Sequence, residues 1–164
     1  SPLLAAATSM TAKFIDVPQQ KSYILQKSPP IWPRRLRGMV DIAKQIAFWR
    51  DGAKEDWDVA RQLVDTGRTR HGLFFAHLAL EEILKAIVCR QSQDLAPRLH
   101  NLSRLAELTA IQLDARGTEI LAEMNAFHIE GRYPESLTKP PTKEEALSYL
   151  AGAEGVFQWL MNQS

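Results

Sequence analysis

Three side chains on one arc carry the strongest hint of chemistry in the chain. His77, Glu81 and Lys85 follow one another at i, i+4 and i+8, so on a helix they form a single line. In that line Lys85 could meet a phosphate while Glu81 orients the His77 imidazole toward a polar ligand. The plainer use is structural, and the sequence favours it. Glu four residues before Lys is the favourable orientation of a helical pair, worth about 0.2–0.5 kcal/mol. A histidine among apolar neighbours is ordinarily a core group with its hydrogen bonds met. Either way a buried charge needs a partner, because an unpaired one is costly.

Further candidates lie downstream. His100 follows Pro97 and precedes a helix, where it can ligate, shuttle a proton or steady the helix entry; Asn101 beside it is a good N-cap. Arg132 and Tyr133 leave a helix end after Gly131. The Arg132 guanidinium there can satisfy helix carbonyls, reach Glu81 or Glu82 in bidentate fashion, or face a nucleotide phosphate. His128 with Arg132 is the alternative catalytic pair. The four histidines (His71, His77, His100 and His128) show no familiar metal-ligand spacing, so no metal is assigned. Cys89 sits late in an apolar helix and reads as a buried, inert thiol. There is no glycine-rich phosphate loop, and no cofactor is expected. Trp49, Trp57 and Trp159 read as core or interface aromatics.

The elements that must position these groups are helices. Residues 71–88 are apolar around most of a helical wheel, with Leu73, Leu80, Leu84 and Ile87 together and the charges of Glu81, Glu82 and Lys85 in one narrow sector. Such a helix is normally surrounded by other helices. Before it, Val40 to Val64 keeps helical spacing, with an interruption expected near Gly52 because glycine costs a helix about 1 kcal/mol relative to alanine. Gly67 is the expected stop. After it, Pro97 ends the central helix region, a short helix covers 102–108, another runs from Thr118 to His128, and a last one from 143 to about 161. Thr142-Lys-Glu-Glu145 reads as a capping box. Ala146, Leu147, Leu150, Ala153, Val156, Phe157 and Leu160 are expected to point inward. No strand is predicted, so the fold class is an all-α bundle.

Size and charge bound the rest. The 164 residues suffice for one domain, and a net charge of +1 argues against a strongly electrostatic nucleic-acid binder. The single cysteine excludes an internal disulfide framework. No run spans a bilayer and no secretory signal is evident, so a cytoplasmic protein without a membrane partner is expected. Residues 1–38 are proline-punctuated and without period, and read as an unstructured or non-native extension ahead of Met39. The cluster Arg34, Arg35 and Arg37 lies within it. The folded part is then 39–164.

Five blocks in order carry a family resemblance: Trp49-Arg-Asp-Gly-Ala53, Glu55-Asp-Trp57, Phe75 through Lys85, Pro97-Arg-Leu-His-Asn-Leu102 and Arg132-Tyr-Pro134. Together, over about residues 39 to 162, the chain resembles the HEPN domain (higher eukaryotes and prokaryotes nucleotide-binding). The resemblance implies an up-and-down bundle of four main helices with a short extra one, and a homodimer. It also implies pairing with a minimal nucleotidyltransferase in a toxin–antitoxin type system. Ribonucleases of this family carry Arg and then His with four to six residues between them, near the end of the third main helix. Here His128 precedes Arg132, and Arg70 and His77 straddle the start of the central helix instead. The chain thus resembles the non-nucleolytic branch, for which nucleotide or partner binding is the implied role. A metal-independent endoribonuclease acting on RNA with an off-pattern pair, His128 with Arg132 or Arg70 with His77, is the alternative.

Overall fold

The computed structural model describes residues 40–130 and 139–164. Arg132, Tyr133 and the expected stop at Gly131 lie outside the described residues, as does the extension 1–38. Among the described residues every regular element is a helix: α1 (Ile42–Asp65), α2 (Thr69–Ser92), α3 (Leu102–Glu107), α4 (Ala115–Met124), α5 (Ala126–Glu130) and α6 (Lys143–Gln163). The main helices are α1, α2, α4 and α6, with α5 continuing α4 after a break at Asn125. No described helix is long and apolar enough to cross a membrane.

Helix ends follow local chemistry. Asp41, Asn101 and Asp114 each accept a hydrogen bond from the amide three residues on, at the starts of α1, α3 and α4. Thr142 and Glu145 form the expected reciprocal capping box on α6. At the end of α1, Gly67 takes φ +81°. Its amide bonds Val64 O while the Arg68 amide reaches back to Leu63 O, a Schellman termination that needs a left-handed residue.

Gly52 does not interrupt α1, which runs unbroken for 24 residues. The propensity cost of one glycine is small beside the packing of the whole helix against α2, and Gly52 lies directly against the Glu82 side chain, Oε2 falling 2.8 Å from where a Cβ would stand. A second glycine sets how closely the two helices approach. A Cβ at Gly72 would lie 2.5 Å from Val64 Cγ2 and 2.9 Å from the Ala60 carbonyl oxygen, so backbone meets backbone there.

The core is α2 wrapped by the others. Leu73, Leu80, Ile83, Leu84 and Ile87 are fully buried, joined by Trp57 of α1, Leu102 and Leu105 of α3, Leu121 and Met124 of α4, and Phe157 and Leu160 of α6. Trp57 stacks on Phe157 with centroids 4.5 Å apart and donates its indole N–H to Glu154 at 2.7 Å. Leu147 departs from its expected inward place and is exposed, because α6 turns it away from the stripe of Ala146, Leu150 and Ala153. The helix expected over 118–128 starts earlier, at the Asp114 cap, and breaks at Asn125. That side chain accepts from the Leu102 amide at 2.8 Å and donates to Ser103 Oγ, fastening the break to the start of α3.

One polar contact on the α1–α2 seam is unusual. Glu82 Oε2 is buried and meets no donor among the described residues, and its neighbour Asp56 offers another carboxyl. A single proton shared by the two groups satisfies both. Burial, with the Asp56 charge beside it, pushes Glu82 up from an ordinary 4.5 to about 8, and burial raises Asp56 as well. Native Glu82 therefore keeps a proton that the unfolded chain releases near its ordinary value. The stability linked to that proton is present in full at low pH and is lost as pH rises from about 4.5 to about 8, with a slope of at most about 1.4 kcal/mol per pH unit. In urea titrations across that window, Glu82→Gln, whose amide donates to Asp56 at any pH, is expected to flatten the decline. It should be about 1 kcal/mol more stable than the parent at the alkaline end. An unchanged slope would remove the shared proton.

Candidate functional site

The line His77, Glu81, Lys85 lies where the wheel puts it, on α2, and all three are buried, with exposures of 1%, 3% and 5%. Lys85 Nζ donates to Glu81 Oε1 at 2.6 Å. The second partner of that oxygen is His100, whose Nδ1 stands 2.9 Å away. A carboxylate only accepts, so His100 carries a proton on Nδ1 and its Nε2 edge is turned from Glu81. Its side chain is 48% exposed. Glu81 thus orients His100 rather than His77, which comes no closer than 3.9 Å, to Oε2.

Electrostatics follow from this geometry. Burial alone would raise the Glu81 carboxyl, but the hydrogen bonds from Lys85 and His100 outweigh it and hold the group below its ordinary range. Burial drives the His77 imidazole down to about 4, against the pull of the Glu81 charge, so His77 is neutral near pH 7. Neither of its ring nitrogens has a hydrogen-bond partner among the described residues. The His100 backbone lies close enough to favour its protonated form but outside hydrogen-bond geometry. His77 is therefore not the satisfied core histidine that the sequence favours, and an unmet buried donor or acceptor costs about 1–3 kcal/mol.

His128, on α5, completes the cluster. Its ring stacks on His100 with centroids 5.0 Å apart and a 13° tilt, and lies 5.1 Å from His77. The Asn125 fastening puts α5 beside the entry to α3, which brings together residues 28 positions apart in the chain. Four expected residues, His77, Glu81, Lys85 and His100, thus form one site with the alternative candidate His128. Arg132, expected as the partner of Glu81 or Glu82, lies outside the described residues; the described partners are Lys85 and His100 for Glu81, and Asp56 for Glu82.

Outward from this cluster, a cleft of about 360 Å³ is lined by Gln45, Trp49, Lys85, Pro97, Arg98 and His100. Lys85 Nζ sits 4.9 Å from the Trp49 ring centre, in cation–π range. The Trp49 Nε1 is buried without a partner among the described residues. Sequence reasoning read Trp49 as a core or interface aromatic, and it packs partly buried against the core; Gln45 and Arg98 were passed over. The available signals were the i, i+4 spacing of Gln45 and Trp49 and the position of Arg98 beside His100. A larger cleft, of about 470 Å³, lies between α4 and α6. Its charged residues are already engaged, Arg116 with Glu119 and Asp114 with the Gly117 amide, so the chemistry points to the smaller one.

The HEPN domain family profile matches residues 46–163. TT1696 from Thermus thermophilus is similar in structure at 18% identity and a TM-score of 0.64, over 73% of this chain and 98% of that one. ST0689, an archaeal HEPN homologue, aligns at 19% identity and a TM-score of 0.58, over 72% and 96% of the two chains. No curated protein matches the chain. The chain belongs to the HEPN domain family, and its all-helical bundle is the fold of these two structures.

Lys85 is more than a surface cation, and truncating it strands a buried carboxylate. Lys85→Met is expected to cost about 3–5 kcal/mol at neutral pH. Adding Glu81→Gln should restore much of that loss, as a double-mutant cycle of urea unfolding measures. Additive losses would show that the pair does not act as one unit.

Proposed function

We propose that this HEPN domain is a binding and regulatory module that takes a nucleotide, or a ligand of the same phosphate-plus-ring chemistry, in the Trp49–His100 cleft. The observation that carries the reading is the juxtaposition there of one aromatic face with three cationic or proton-donating side chains, Lys85, Arg98 and His100. An indole face accepts a base or another cation, and a guanidinium beside an imidazole suits phosphate oxygens. As a family-level expectation, the domain works as a homodimer paired with a minimal nucleotidyltransferase in a toxin–antitoxin type system.

Arg98 is exposed, so its replacement tests the cleft without disturbing the core, and the amide of His100→Gln still offers Glu81 a donor. In equilibrium dialysis with adenosine and guanosine nucleotides, Arg98→Gln and His100→Gln are each expected to weaken binding by about tenfold or more, the loss of one charge-assisted hydrogen bond. Parental affinity in both folded variants would refute the site.

One observation favours a second reading, metal-independent RNA cleavage. A buried carboxylate holding the Nδ1–H of a half-exposed imidazole is the arrangement that orients a general base. His100 fills it here, with Arg98 at hand for phosphate. The pair Arg70 and His77 does not serve, since His77 is 1% exposed and no substrate reaches it. Under this reading the purified protein cleaves mixed RNA without added metal, and His100→Gln loses at least about a hundredfold in rate. Intact RNA after prolonged incubation with the parent leaves the binding module alone.

A further inference from the structure

The histidine cluster has a feature that the cleft does not use. His77 faces away from solvent, and its two nitrogens have no hydrogen-bond partner among the described residues. We propose that His77, Glu81 and His128 form a binding site for one divalent transition-metal ion of the zinc type. One ligand atom from each lies within 4.8 Å of the others, and two imidazoles with a carboxylate are a donor set that zinc and its first-row neighbours favour.

The three donors come from two elements. His77 and Glu81 share a face of α2 at i, i+4, and His128 approaches from α5, held there by the Asn125 contacts to α3. The two oxygens of Glu81 divide the work. Oε1 is taken by Lys85 and His100, while Oε2, 3.9 Å from His77 Nδ1, remains for an ion. Lys85 and His100 then stand as the outer hydrogen-bond partners that fix a ligating carboxylate.

Size sets what must move. Zinc bonds of about 2.0–2.1 Å place tetrahedral ligand atoms about 3.3 Å apart, so the cluster must contract by about 1.5 Å at its widest. His128 lies on the five-residue α5, the one ligand that does not share α2 with the other two. The Lys85 ammonium opposes a dication at the same carboxylate, which favours a moderate affinity over the very tight binding of an all-thiolate site.

The test uses the full chain, free of affinity tags and stripped with a chelator. Zn²⁺ binding is measured by competition with a chromophoric chelator, and Co²⁺ binding by visible absorption. One ion per chain is expected, with affinity reduced at least about tenfold in both His77→Gln and His128→Gln and unchanged in His71→Gln, whose side chain is exposed. A second readout needs no variant. Long-range proton–nitrogen spectra of the parent should show the His77 and His128 ring nitrogens shifting on Zn²⁺ addition while His71 stays put. Absence of binding, parental affinity in folded His77→Gln, or unmoved His77 signals would each overturn the assignment.

Discussion

Glu81 lies 3% exposed among the apolar residues of α2, and a carboxylate there is tolerable only because Lys85 and His100 both donate to its Oε1. Removing either donor leaves part of a desolvated charge uncompensated, the costly half of any buried ion pair. The remaining polar geometry depends on this. Lys85 is held against the Trp49 face, the His100 ring is fixed in orientation, and His128 has a flat ring to stack on. The site is therefore assembled from the inside outward, with the exposed groups taking their orientation from a buried one.

That arrangement requires close helix packing. Glu81 and Glu82 are adjacent on α2 and so project toward different neighbours, Glu81 to the entry of α3 and Glu82 to α1. Gly72 allows α1 and α2 to meet backbone to backbone, and Gly52 leaves room for the Glu82 carboxyl. The two neighbouring carboxyls end in opposite protonation tendencies, Glu81 held low by two donors and Glu82 driven up by burial and Asp56. Identical side chains one residue apart thus do different jobs, and environment alone separates them.

Much of the fold was legible in the chain. The all-round apolarity of residues 71–88, the capping box at Thr142 and the stop at Gly67 each follow from local chemistry, and the structure carries all three. The miss at Gly52 came from weighing a local propensity against packing that sequence does not display. The break at Asn125 was hidden because its cause is a bond to the Leu102 amide, 23 positions away. Within the site, the i, i+4, i+8 line was legible and its partners were not. That His100, rather than His77, answers Glu81 depends on how the loop after Pro97 returns over α2. The Asp56–Glu82 pair likewise depends on the relative register of two helices, which no periodicity encodes.

The cleft and the histidine cluster share Glu81, and that sharing constrains how they can behave together. Lys85 bonds Oε1 and faces the cleft, while Oε2 faces His77. An anion that draws Lys85 outward leaves the carboxylate more negative toward the histidines, which favours a cation there. A cation at Oε2 weakens the hold of Glu81 on Lys85 and so favours an anion in the cleft. Thermodynamic linkage requires the two effects to be equal in free energy. The sign is fixed by charge alone: the carboxylate lies between the two places, and each ligand relieves the electrostatic cost of the other. Absence of coupling would require Lys85 to stay on Oε1 whatever binds, which would reduce the pair to a structural tie and leave His100 and Arg98 to serve the cleft by themselves.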